Sequence, residues 1–280
     1  MLCTNTLIQE YAYNKGKGKF GMKNASVTKK IGFFLALLVI GITLVGVFYT
    51  PYDPNKMDAL AKNLPPSWAH WFGTDYFGRD ILSRVMEGAK TTFFIASCTV
   101  AIGAFFGTML GAITGYFGGI VDEVLMRCND VLASFPSILL ALIIVSVLGT
   151  GKYNIIIALG IVFIPSFARV VRSEFVIQKE MDYVKNARLM GASHVRIMFL
   201  HIMPNTFPIF LSALAIGFNN AVLAEAGMSY LGLGVQPPDP SLGRMLSEAS
   251  GYLLNAPWFA LAPGIMIILT VLGFSLLVER

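Results

Sequence analysis

Charged side chains are scarce in this sequence. Asp, Glu, Lys and Arg make up 13% of its 280 residues, whereas hydrophobic residues make up 55% and the mean hydropathy is +0.67. Soluble domains carry about 25% charged residues, because their surfaces face water. The shortage excludes a soluble globular protein and indicates that much of the chain lies in a lipid bilayer.

Residues that form disulfides or bind metals are also few. The cysteines form no C-x-x-C pair and have no metal-ligand spacing, so they predict neither a disulfide framework nor a zinc site: Cys3, Cys98 and Cys128. Among the histidines, His194 and His201 share one polar segment that offers no third ligand, and His70 stands alone. We therefore expect no metal site and no bound cofactor.

Catalytic motifs are absent as well. The apolar runs contain no H-E-x-x-H, no carboxylate dyad and no nucleophile–base pair, which disfavours a membrane enzyme. No G-x-x-x-x-G-K-[ST] phosphate-binding loop occurs either. The similar string "GTGKY" (149–153) lacks the first glycine at the right spacing, and Tyr153 stands where Ser or Thr would bind Mg²⁺. ATP chemistry would have to come from another polypeptide.

Six apolar runs are long enough to cross a bilayer. They occupy residues 31–50, 92–115, 131–149, 154–171, 205–227 and 257–278. No small-x-small cleavage site follows the first run, so we expect a retained helix rather than a cleaved signal peptide. Pro136 and Pro165 fall inside two runs, which is tolerable where neighbouring helices satisfy the freed carbonyls. The predicted fold is an all-α integral membrane protein with six transmembrane helices.

The distribution of positive charge orients this bundle. With the N-terminus inside, about two-thirds of the 21 Lys and Arg residues fall in or beside inner segments, as the positive-inside rule requires. This explains the net charge of +5 without nucleic acid as a partner. Both termini are therefore predicted to be cytoplasmic. The chain divides into a basic cytoplasmic segment 1–30, a first transmembrane helix 31–50, an extracytoplasmic loop 51–91 and a transmembrane core 92–280.

The string "DYVKNARLMGASHVRIMFLHIMPN" (182–205) is an amphipathic segment on the predicted cytoplasmic side. Its apolar residues follow steps of three and four, as on one face of a helix: Tyr183, Val184, Ala187, Met190, Val195, Met198, Phe199 and Ile202. Gly191 interrupts this pattern, Ser193 can cap a second helix, and Pro204 rules out an uninterrupted regular helix. We predict two short helices bent at Gly191 and joined rigidly to the fifth span.

The residues of this segment leave three interpretations open. The segment can lie flat on the membrane as an interfacial helix. It can be a simple connector between two spans. It can also be a docking surface whose apolar stripe is covered by a soluble partner.

Four further strings support the third interpretation. They are "HWFGTDYFGRDILSRV" (70–85), "SFPSILLAL" (134–142), "ARVVRSEF" (168–175) and "EAGMSYLGLGVQPPDPSLGRMLSEA" (225–249). With the segment above, they resemble permeases of binding-protein-dependent ABC importers in the oligopeptide, dipeptide and nickel branch. The resemblance runs from Ile31 to the end of the chain.

The same resemblance marks individual residues of the amphipathic segment. The family's Glu-Ala-Ala triplet falls on Lys185, Asn186 and Ala187, its glycine on Gly191 and its proline on Pro204. Lys185 thus replaces an acidic residue. The resemblance implies that segment 173–204 couples the permease to an ATPase through Lys185, Asn186, Ala187, Met190, Gly191, Ala192, Ser193 and Pro204.

The family also implies an architecture and a set of partners. It implies a type I ABC importer transmembrane domain in the cytoplasmic (inner) membrane of a prokaryote. Such a permease pairs with a second, similar permease, two cytoplasmic ATPases and an extracytoplasmic solute-binding protein. ATP binding closes the ATPases and turns the pore outward, after which solute delivered by the binding protein enters.

Two substrate classes and one other transport mechanism fit the sequence. Small peptides fit the branch, and so do nickel or metal chelates. A stand-alone secondary transporter or channel is the alternative mechanism. That class usually shows internal repeats, broken helices at mid-membrane or paired intramembrane charges, whereas this chain carries one isolated acid in its spans.

That acid is Glu225, within the apolar run 205–234. Asn219 and Asn220 precede it by one to two helical turns. Ionisable groups at membrane depth are costly and face a cavity or a partner. The three residues therefore either line a translocation pathway or have a structural role.

The string "GTDYFGRD" (73–80) is the other charged feature of the predicted outer side. In one interpretation, Asp75, Arg79 and Asp80 form local ion pairs with Arg84 against an interfacial helix. In the other, they belong to an extracytoplasmic rim that contacts the binding protein or seals the pore mouth.

Overall fold

The computed structural model describes residues 27–278, and these residues form a helical bundle without β-strands. The predicted basic segment 1–30 lies outside the described residues except for 27–30. The helices are α1 Val27–Phe48, α2 Ile81–Phe117, α3 Gly119–Ala133, α4 Ser137–Leu148, α5 Lys152–Gln178, α6 Asp182–Leu189, α7 His194–Arg196, α8 Met203–Tyr230, α9 Leu242–Ala249 and α10 Pro257–Val278. A π-helical turn, Ile197–Ile202, joins α7 to α8, and a 3₁₀ turn, Ser250–Tyr252, follows α9. The all-α prediction is confirmed over these residues.

The membrane spans match the predicted runs with one correction. Five helices in the described part of the chain are long and apolar enough to cross a membrane. The predicted third span, 131–149, is not one helix, because α3 and α4 meet there at an angle of 85°. The break falls at Pro136, which precedes α4 and cannot continue the hydrogen bonding of α3. The 12 residues of α4 measure only about 18 Å, so a sixth span needs both helices.

The start of α2 differs from the prediction as well. The predicted outer loop extends to residue 91, but the loop ends at Asp80 and the helix begins at Ile81. Asp80 caps it, because its carboxylate accepts a hydrogen bond of 2.8 Å from the Ser83 backbone N–H. The polar residues that made 81–91 look interfacial are partly buried, with Ser83 and Arg84 inside the protein.

Glycines bring α2 and α5 into close contact. Gly103, Gly107, Gly111 and Gly115 recur every fourth residue and therefore share one face of α2. A Cβ atom at Gly111 would lie 2.5 Å from the Ala168 carbonyl oxygen of α5. Small residues allow such backbone approach between membrane helices. This pair forms the rigid centre of the bundle.

We expect Gly111→Val to destabilise this pair. The new side chain would collide with α5 backbone that cannot move independently, at a cost of about 1–3 kcal/mol. The free energy of unfolding in detergent, titrated with dodecyl sulfate, measures the effect. Gly227→Val in α8 is the matched control, because a Cβ there meets no atom within 4 Å. Equal losses in both variants would contradict the close-packing argument.

Candidate functional site

The predicted coupling segment has the bent geometry expected from its sequence. Helix α6 ends at Leu189, and Gly191 follows with φ +78°, a left-handed conformation that favours glycine. Ser193 then caps α7 by accepting a hydrogen bond from the Arg196 N–H. The helix runs on through the π-helical turn into α8, so His194–Tyr230 is continuous. The predicted bend and cap are confirmed, and the irregular turn lies immediately before Pro204.

The apolar residues of this segment divide into a buried set and an exposed set. Val184, Ile197 and Ile202 are fully buried and belong to a core cluster with Tyr116 of α2 and Phe175 of α5. The docking interpretation leaves the apolar stripe to a soluble partner, whereas its inward members are already buried against the bundle: Val184, Ala187, Met198 and Ile202. The periodicity identifies an apolar face but cannot show that the ends of α2 and α5 cover it.

A second apolar surface points outward at the bend. Leu189 is 85% exposed and Met190 is 88% exposed, and Val195 and Leu200 extend the same exposed set. Leu189 and Leu200 are not in the predicted stripe. Large exposed apolar side chains next to polar ones are typical of an interaction site.

The candidate coupling residues lie at or near this surface. Most are exposed: Lys185, Asn186, Met190, Gly191, Ser193 and Pro204. Ala192 is half-buried, and Ala187 is buried against the bundle. The Lys185 ammonium lies 3.9 Å from the Asp182 carboxylate in an exposed pair, which contributes little to stability. The Lys185 ammonium therefore remains on the exposed face of α6.

One contact at this end of the bundle was missed by the sequence analysis. The Tyr116 hydroxyl forms a hydrogen bond of 2.8 Å with Nδ1 of His194. The Arg188 guanidinium lies 5.5 Å from the centroid of the Tyr116 ring. These residues are far apart in sequence, and no local pattern joins them.

A buried charge cluster lies at the opposite end of α2. The Arg79 guanidinium donates to Asp75 at 2.6 Å and to Glu248 of α9 at 3.0 Å. The Arg84 guanidinium donates to the same Glu248 oxygen at 3.4 Å. All four side chains are less than a tenth exposed. The charges of "GTDYFGRD" thus form ion pairs inside the protein, and Glu248 completes them from a distant part of the chain.

Two neighbouring groups extend this cluster. The Asp80 carboxylate, besides capping α2, lies 2.9 Å from Nδ1 of His70. Burial raises the pKa of Tyr76, and the negative charge of Glu248 adds to this effect. The described residues contain no group of three His, Cys, Asp or Glu side chains placed to hold a metal ion.

The three candidate pathway residues lie in different surroundings. Glu225 has no exposed surface, and its carboxylate accepts hydrogen bonds from Thr92 of α2 at 2.8 Å and from Ser229 at 2.6 Å. The buried Asn219 amide donates to the Ser275 hydroxyl of α10 at 2.9 Å. Asn220 is exposed on α8. The structure therefore does not bring the three side chains into one site.

Sequence comparison relates this chain to membrane transport proteins. The family described as the binding-protein-dependent transport system inner membrane component matches residues 107–280. A dipeptide transport system permease protein of Haemophilus influenzae is 37% identical over 253 residues, covering 88% of this chain and 86% of that protein. A glutathione transport system permease protein of Pectobacterium atrosepticum is 40% identical over 247 residues, covering 88% and 82%.

A solved structure has the same fold. The inward-facing MetNI methionine ABC transporter aligns with a TM-score of 0.57 and 18% sequence identity. The match covers 70% of this chain and 97% of that one. The predicted type I importer fold is confirmed.

Proposed function

We propose that this chain, which belongs to the family of binding-protein-dependent transport system inner membrane components, is the permease through which an ATP-driven importer takes up small peptides. The observation that supports this substrate class is the 37–42% identity to permeases named for dipeptides and glutathione, which are all peptides. The permeases compared above are not named for nickel or metal chelates. The chain lacks a phosphate-binding loop, so ATP hydrolysis belongs to partner subunits.

The proposed assembly has the partners typical of its family. A second, similar permease completes the pore, two ATPases bind on the cytoplasmic side, and a binding protein delivers solute from outside. We place the α6 end of the bundle in the cytoplasm, because about two-thirds of the Lys and Arg residues then lie inside. The α9 end, with its buried charge cluster, then faces the binding protein.

The exposed bend around Leu189 and Met190 is the proposed ATPase contact. It combines apolar side chains with the exposed Lys185 and Asn186, and an interface core of this kind favours apolar anchors. A movement of the ATPase contact is passed directly to the membrane helices. Helix α7 continues into α8, and the buried face of α6 packs on α2 and α5. Val184 and Ile197 supply that packing and are not available to the ATPase.

We assign separate roles to the other candidate residues. Asn220 is the proposed pathway residue, since it is the exposed member of the three on α8. Glu225 and Asn219 hold α8 against α2 and α10 through their hydrogen bonds. Asp75, Arg79 and Asp80 stabilise from inside the outer cap, which consists of loop 51–80 and α9, rather than contacting solute.

We expect Met190→Asp to separate the permease from its ATPases. A carboxylate would have to be desolvated at the centre of the proposed apolar contact, which is costly without a partner. Co-purification of tagged ATPase from detergent extracts measures the loss. Leu254→Asp is the matched control, because Leu254 is 98% exposed at the α9 end. Retention of the ATPases by the Met190 variant, or equal loss in the control, would contradict this contact.

The substrate is tested through the binding protein and through uptake. Mass spectrometry and elemental analysis of the purified binding protein should find peptide without stoichiometric metal. Vesicles holding the complete importer should then accumulate radiolabelled glutathione or dialanine only with ATP inside. Bound nickel would reassign the substrate, and uptake by this chain without ATPases would support a stand-alone transporter.

A further inference from the structure

Tyr116 joins three elements at the α6 end of the bundle. It lies in the last turn of α2 and is only 5% exposed. Its hydroxyl binds Nδ1 of His194 in α7 at 2.8 Å, and the two rings meet edge to face at 5.6 Å. The Arg188 guanidinium of α6 lies 5.5 Å from the ring centroid. One phenol therefore contacts both helices of the bent segment.

The other end of α2 is tied to the outer cap by hydrogen bonds to α9. Arg84 lies in its first turns, is 1% exposed and donates to Glu248 of α9. Thr92 donates to Glu225 of α8 and accepts from the Leu242 N–H of α9. Any shift of α9 must therefore move the start of α2 or break buried hydrogen bonds.

Between these ends α2 is one unbroken helix. Its 37 residues contain no proline and extend about 55 Å. The glycine contacts with α5 support it along its second half. A helix fixed at both ends and supported between them carries displacement as a rigid body, and this is the kind of element through which distant sites are coupled.

The Tyr116–His194 hydrogen bond is not needed to hold the bent segment against the bundle. The segment is already held by the apolar packing of Val184, Ile197 and Ile202. His194 is exposed, and its link to that core runs through the Tyr116 ring. The bond instead fixes the position of α7, at the bend, relative to the end of α2.

We infer that α2 transmits the state of the outer face to the coupling segment, and that Tyr116 and His194 are the positioning residues at its cytoplasmic joint. This inference rests on the proposed function. Binding of the loaded solute-binding protein moves α9 and the start of α2, and the joint passes that movement to α7 and thus to the ATPases. Linkage requires the reverse as well, so ATP binding alters the outer face through the same joint.

The test uses the complete importer in lipid vesicles and compares ATP hydrolysis with and without its binding protein loaded with glutathione or dialanine. Tyr116→Phe removes the hydroxyl but keeps the ring and its contact with Arg188. We expect unchanged basal hydrolysis and a stimulation lowered about fivefold, the lower end of measured coupling factors. His194→Ala should have the same effect, and the double variant should be no worse than either single variant. His194→Asn, which can place a polar atom near the Nδ1 position, should restore most of the stimulation.

Tyr52→Phe is the matched control, since it removes a tyrosine hydroxyl hydrogen bond of the same length, 2.8 Å to the Ala69 carbonyl, on the outer side. Normal stimulation in Tyr116→Phe and His194→Ala would overturn the inference. So would equal losses of basal and stimulated hydrolysis, which indicate a purely structural role. Failure of the wild-type importer to hydrolyse ATP in response to its binding protein would instead count against the proposed function.

Discussion

Replacing Gly191 with valine is expected to reduce solute uptake strongly while leaving the protein in the membrane. Gly191 has φ +78°, where a β-branched residue pays about 1–2 kcal/mol or more in backbone strain. A Cβ there meets no atom of this chain within 4 Å, so the strain comes from the backbone conformation and not from crowding. The bend would relax and turn Leu189 and Met190 away from the ATPase. We expect uptake to fall about tenfold or more, because 1.4 kcal/mol corresponds to a factor of ten.

Two variants distinguish the bend from other effects. Gly191→Asn should keep most of the uptake, because asparagine tolerates the left-handed region. Gly251→Val adds the same side chain at a glycine of the α9 end that also has free space, and it should be neutral. Membrane content of each variant is measured by blotting. Normal uptake by Gly191→Val would rule out the docking model.

The second large effect is expected from Glu248→Ala. Among residues 27–278, this change leaves the buried Arg79 and Arg84 with only Asp75 as a charged partner. Removing one member of a buried ion pair costs about 3–5 kcal/mol, because a charge remains without compensation in a low-dielectric environment. The outer loop would separate from α9. Protease sensitivity of the loop and the free energy of unfolding in detergent both report this loss.

Arg244→Ala is the matched control for that variant. Arg244 also donates to Glu248, at 3.3 Å, but its side chain is 23% exposed and water can replace it. Its removal should cost less than about 1 kcal/mol. If Glu248→Ala lowers the free energy of unfolding by a similarly small amount, the cluster is solvated. The buried ion pairs would then not hold the outer cap together.

Local patterns predicted local features of this protein well. The left-handed glycine and the serine cap at 191–193 follow from residue types alone, because each acts on its own backbone. The lengths of the apolar runs located the long helices, because a bilayer of fixed thickness requires a run of about 20 residues. The break at Pro136 was visible as a proline, yet whether a helix kinks or ends there depends on the neighbours.

Contacts between distant parts of the chain were not predictable from one sequence. Glu248 meets Arg79 across a separation of 169 residues, and His194 meets Tyr116 across 78. The sequence shows which charged and aromatic residues could form such pairs, but it does not show which of them meet. The role of Glu225 was equally hard to predict from the sequence. An acid in an apolar run suggested a translocation pathway, but the hydroxyl groups of Thr92 and Ser229 enclose its carboxylate.

The pairing of Arg84 with Glu248 also sets an order of events during biosynthesis. The arginine leaves the ribosome 164 residues before its carboxylate partner, a delay of about 10–30 s at ordinary translation rates. Until then, Arg84 must share the Asp75 carboxylate with Arg79, and this excess of positive charge in the first turns of α2 favours waiting at the lipid headgroups over burial. The cap therefore closes last, once α9 has been synthesised, and a stalled or truncated chain would keep loop 51–80 open to quality-control proteases.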